Sequence, residues 1–156
     1  NPPYPFPYEN NLAMVDFVHL EQIAARFAER NLSGRAIATA WPYTSALEHP
    51  DYGFVQRPLK VVETNDFHFD SIRALPPSRF NVLIAYTRTW APANGVIALP
   101  VVRHFLRHFY QWQPEITAQQ CNSQGLDPLV SWHLHGQQIT IYVRTHPPGS
   151  SAGVHL

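Results

Sequence analysis

Of the 156 residues only one is cysteine and only one is lysine. Cys121, standing alone, excludes an intramolecular disulfide and any cysteine-rich zinc knuckle. Lys60 is accompanied by ten arginines, and the eleven basic residues are balanced by eleven acidic ones. A nucleic-acid binder needs a basic surface to neutralise phosphates, so that class is set aside. No apolar run approaches the ~18 residues that a helix needs to span a bilayer. Also missing are the Gly-x-Ser-x-Gly elbow, the phosphate loop, the dinucleotide glycine fingerprint and the His-Glu-x-x-His helix, so no complete catalytic constellation is expected.

What is present is a chain that should fold. Hydrophobic residues make up 45% and aromatics 13%, enough for one domain with a sizeable core. Four prolines in Asn1–Pro7 make residues 1–10 read as an extended lead-in from something upstream. Residues 11–146 form the domain, and 147–156 read as a flexible tail.

Over 11–30, Phe17, Leu20, Ile23, Ala24 and Phe27 recur at helical spacing, with Glu21, Arg26, Glu29 and Arg30 assigned to polar faces. Short strands are expected at 36–40, 59–63 and 81–90, with helical turns near 44–48, 70–75 and 114–123. Pro100 opens a further helix striped by Val101, Val102, Phe105, Leu106, Phe109 and Tyr110. The chain closes in a hairpin of 129–135 with 138–145 around Gly136-Gln137. This pairing sets His135 opposite Gln138 and His133 opposite Thr140. Trp132, Leu134, Ile139 and Ile141 then face the core, and the histidines, Gln138 and Thr140 face outward. The fold class is α/β: a single domain with a mixed sheet of about five strands, a C-terminal antiparallel hairpin and flanking helices.

His133 and His135 share one face of a strand and are the candidate metal ligands, though zinc needs a third that this face does not supply. His104 and His108 align on a helix beside Arg103 and Arg107, whose charge disfavours a divalent cation. Asp66, His68 and Asp70 lie close enough for acid–base work. The architectural expectation is different: ligands bind where the carboxyl ends of parallel strands open into loops. Those ends carry Trp41, Tyr43, Asp66, Arg88 and Trp90, whose rings and hydrogen-bonding groups suit a sugar or phosphosugar.

Glu9-Asn10-Asn11-Leu12 through Asp16, Gln22–Phe27, Thr39-Ala40-Trp41-Pro42, Leu47, Pro50, Gly53-Phe54-Val55, Pro58 and Val61-Val62 carry a resemblance covering roughly the first 70 residues. Together they resemble the soluble extracytoplasmic region of bacterial multi-spanning glycosyltransferases. That family is similar to the dolichyl-phosphate-mannose protein mannosyltransferases and uses polyprenyl-phosphate sugar donors. The resemblance implies a non-catalytic domain on the outer face of the bacterial inner membrane. It would assist substrate or partner binding beside the membrane-embedded remainder of the same protein, with no cofactor. The family's catalytic residues lie in loops between membrane helices, so none is carried over here. This chain also lacks the acidic residue expected just before Leu47. Two other classes stay open: a free-standing small hydrolase or metal-binding protein using the histidines, and a protein-interaction module.

Overall fold

A computed structural model describes residues 13–87, 115–134 and 137–145. The expected lead-in, the helix from Pro100 with His104 and His108, the tail, Arg88, Trp90 and His135 lie outside the described residues. Within them the chain is a mixed α/β domain: a five-stranded sheet in the order β2-β1-β3-β5-β4, with helices packed on it.

The first helix, α1 (Ala13–Leu32), packs over the two C-terminal strands. Ala24, Ala25 and Ala28 are fully buried, and such small side chains let a helix backbone come close to a sheet. Phe27 meets Trp132 edge to face at 5.5 Å. One residue departs from the expected polar face: Glu21 is 4% exposed, so its carboxyl lies inside. Its spacing accounts for this, since Phe17, Glu21, Ala24 and Ala28 recur at helical intervals along one stripe.

β1 (Ile37–Ala40) is buried at every position and runs parallel to both neighbours, β2 (Val61–Thr64) and β3 (Val82–Tyr86). Ile37 pairs with Val61 on one side and Val82 on the other. A parallel strand covered on both faces reads as the continuous apolar run seen here. Between β1 and β2 lie α2 (Tyr43–Glu48) and a 3-10 turn over Pro50–Tyr52. Between β2 and β3 lies α3 (Phe69–Ala74). The Trp41–Pro42 peptide is cis.

β4 (Leu126–Leu134) and β5 (Gln137–Arg144) form the antiparallel hairpin, and β5 pairs antiparallel with β3. The expected pairing is displaced by two residues: His133 faces Gln138, and Leu134 faces Gln137. Gln137 thus belongs to the strand instead of the turn, and its side chain is buried on the core side. An even displacement leaves each residue on its expected face. Ile139 and Ile141 are fully buried, Trp132 and Leu134 pack half-buried against the core, and His133 and Gln138 are exposed.

Thr140 departs from expectation. It is only 5% exposed, because the second face of the sheet is covered too. There α4 (Ala118–Ser123) lies against β4 and sets Cys121 beside Tyr142. A reciprocal cap starts α4: Gln120 N donates to Thr117 Oγ1 at 3.2 Å, and Thr117 N donates to Gln120 Oε1 at 2.9 Å.

Burial pushes the Cys121 thiol up to about 12, so it is protonated at neutral pH. Cys121 should resist an aromatic disulfide reagent in native buffer and react fully in denaturant; rapid native reaction would contradict this packing. Ile141→Ala should cost about 2–5 kcal/mol in urea unfolding. Trp132→Ala should cost less than the usual full-burial value for tryptophan, because part of its ring is already in water.

Candidate functional site

The parallel arrangement brings the carboxyl ends of β1, β2 and β3 to one edge, where the connecting loops form a surface. Tyr86, the last residue of β3, organises it. Its hydroxyl donates toward the carbonyl oxygens of Ala40 at 3.0 Å and Trp41 at 3.1 Å, tying the loop after β1 to β3. Its ring meets Phe17 at 5.2 Å, Phe67 at 4.8 Å and Tyr43 at 5.9 Å, all edge to face. Such pairs add about 0.5–1.5 kcal/mol each beyond the area they bury.

Trp41 stands on this base with its side chain in solvent, 62% exposed although the backbone beneath it is tied down. Tyr43, two residues on, does not border a crevice. It is fully buried, and its hydroxyl donates to the Glu21 carbonyl at 2.7 Å. The first turn of α2 carries Tyr43 inward, where it anchors α2 on α1. Burial first, then the neighbouring Glu21 carboxyl and Tyr86, hold its phenol well above the ordinary range.

Asp66 is partly buried and shapes its own loop. Its Oδ1 accepts from His68 N at 2.9 Å, its Oδ2 lies 3.2 Å from His68 Nδ1, and its carbonyl accepts from Thr64 Oγ1 at 3.0 Å. These bonds make a side-chain-to-backbone turn of the kind aspartate favours. Asp70 instead lines an open hollow of about 410 Å³ with Glu63, Thr64, Asn65, Ser71, Ala74 and Leu75, at the end of β2. Beside the end of β3, a cavity of about 100 Å³ lies between Phe67, Thr87, Glu115, Gln138 and Thr140. Gln138 Nε2 donates to Thr140 Oγ1 at 2.8 Å, and Ser131 Oγ lies 2.7 Å from the same hydroxyl, so this wall is a connected polar network.

Of the five residues expected to line one crevice, the structure thus sets Trp41 and Asp66 in the loops at the strand ends and withdraws Tyr43 into the core. Arg88 and Trp90 fall outside the described residues. Among the described residues no group of three histidine, cysteine, aspartate or glutamate side chains is arranged to hold a metal ion, and His133 is exposed on β4. No described helix is long and apolar enough to cross a membrane. Comparison with protein-family models, with curated proteins and with solved structures finds no match to this chain.

Two residues important here were missed from the sequence. Tyr86 fell inside the strand expected over 81–90 with no role of its own, and only the closure of β3 on β1 shows where its hydroxyl goes. Glu21 read as a solvent-facing helix residue, although its spacing marks the buried stripe. Among the described residues its Oε1 is buried without a hydrogen-bond partner, and desolvation pushes its pKa from 4.5 up to about 8.

The sign of the resulting pH dependence follows. Below about pH 4.5 both folded and unfolded chains hold the Glu21 proton, and its contribution to stability is complete. From there to about pH 8 the unfolded chain has released the proton while the folded chain keeps it, so stability falls as pH rises and then levels off. Glu21→Gln should remove this decline, with a difference in slope of at most ~1.4 kcal/mol per pH unit. Chemical denaturation of both proteins across that window checks it; parallel stability curves would show that Glu21 is ionised in the fold.

Proposed function

We propose that the chain is a non-catalytic extracytoplasmic domain of a membrane glycosyltransferase that uses a polyprenyl-phosphate sugar donor. It contributes a binding surface for a glycan or phosphosugar at the carboxyl ends of β1, β2 and β3. The observation that carries this reading is Trp41: a large apolar ring held out in water on a backbone that Tyr86 fixes. Burying an aromatic side chain is worth about 1.5–3 kcal/mol, so the exposed ring forgoes stability that a partner's flat face can recover. Hollows carrying hydrogen-bonding side chains lie at the ends of the two strands that flank β1, which suits a ligand with alternating apolar faces and hydroxyls.

Met14 and Val15 are also exposed, at the start of α1. The Phe17–Tyr86 contact sets this helix start at the same end of the molecule. These side chains offer an apolar contact to the membrane-embedded remainder of the same protein. The resemblance of the first 70 residues supplies the identity of that remainder.

Titration with a water-soluble polyprenyl-phosphate sugar analogue should change the tryptophan emission, and Trp41→Ala should abolish that response. A response that survives in the variant would move the ligand elsewhere. The parent reading frame should encode a run of hydrophobic spans before Asn1; a start codon immediately before Asn1 would remove the glycosyltransferase reading.

A further inference from the structure

The opposite end of the molecule carries a further recess. The last turns of α1 and the loop of residues 53–57 enclose a groove of about 760 Å³. Arg26 and Arg30 enter it from one face of α1, four residues apart, and Arg57 enters from the loop. Among the described residues the groove has one carboxylate, Glu29, and it is already engaged. Its Oε1 accepts from the backbone amides of Gln56 at 2.9 Å and Arg57 at 2.8 Å, clamping the loop to the helix. Gly53 makes the turn that brings the loop there: it adopts φ 79°, and its amide donates to the Pro50 carbonyl at 2.9 Å.

Three exposed arginines thus line one space. Among the described residues, no carboxylate lies within 4.0 Å of any of them. Three like charges gathered on a fixed frame repel one another, and a multiply charged anion turns that repulsion into attraction. Guanidinium forks match phosphate oxygens in geometry, whereas a lone carboxylate would occupy one fork and leave the others unanswered. The groove is also larger than a phosphate ion. Half-buried Phe54 adds an apolar side chain to its lining, alongside Ser33 and Gln56.

We propose that this groove binds a phosphate ester, with Arg26, Arg30 and Arg57 on the phosphate and Phe54 against the organic part. The site lies away from the strand-end surface and does not depend on the function proposed for it. A soluble sugar phosphate and the headgroup of an anionic lipid present the same chemistry, and two arms of one experiment separate them.

The whole chain is titrated calorimetrically with glucose 1-phosphate and with inorganic pyrophosphate. In parallel it is floated with phosphatidylcholine vesicles with and without phosphatidylglycerol. Binding in either arm should weaken about tenfold in Arg57→Gln and in Arg26→Gln, a size expected for losing one charge-assisted contact, and should fade with added salt. Both side chains are exposed, and the clamp uses the Arg57 backbone, so the variants should keep the parent circular dichroism and unfolding midpoint. Soluble ligands binding identifies a free phosphate ester; vesicles alone binding identifies a lipid headgroup. Binding in neither arm, or binding indifferent to both arginine variants, overturns the proposal. Trp41→Ala should leave the pyrophosphate titration unchanged, since pyrophosphate carries no sugar for the strand-end surface; a loss there would move the phosphate to the strand ends and overturn the groove assignment while leaving the strand-end reading standing.

Discussion

Tyr86 is where the separate parts of this fold are joined. Its ring packs edge to face against Phe17 of α1, Tyr43 of α2 and Phe67 of the loop after β2, while its hydroxyl reaches the carbonyls of Ala40 and Trp41 at the end of β1. A buried phenol needs a polar partner, and a buried strand end leaves carbonyls without one; each solves the other's problem. The loop after β1 would otherwise leave the sheet as a free connection. Here it is fixed to β3, and Trp41 is presented outward as a consequence.

Much of the fold was legible because the chain's patterns are unambiguous. The unbroken apolar run Val82–Ala85 requires cover on both faces, which points to a central strand with helices above and below. The alternation of Ile139, Ile141 and Val143 with Gln138, Thr140 and Tyr142 fixes which hairpin residues face α1, and that assignment survives the two-residue displacement of the pairing. The displacement itself was not readable. Glycine marks the turn region, but whether Gln137 joins the strand depends on the pairing of the whole ladder, which includes an irregularity between Pro128 and Val130.

The candidate site was legible only in outline. That strand ends converge follows from parallel pairing, but whether a given aromatic residue points in or out depends on the local turn. Trp41 and Tyr43, two residues apart, took opposite fates: one exposed, the other inside against Glu21. Glu21 illustrates the reverse error, a charged residue type assigned to solvent although its spacing places it inside. The protein carries this carboxyl as a neutral acid, which costs little at low pH and progressively more toward neutrality. The two ends of the domain then differ in chemistry. One presents the exposed side chains of Trp41, Met14 and Val15, and the other presents arginines around a groove.

The Tyr86 hydroxyl holds the strand-end surface in place, and Tyr86→Phe isolates that hydroxyl while keeping the ring. Hydrogen exchange read by mass spectrometry across residues 41–48 is the direct test. Losing the hydroxyl leaves two carbonyls short of a donor, at a cost of about 1–3 kcal/mol. Exchange should therefore speed up in that segment, while peptides from β4 and β5 keep their protection relative to the global unfolding rate. Unchanged exchange over 41–48 in a folded variant would show that the loop holds itself, and that Tyr86 is an ordinary core residue.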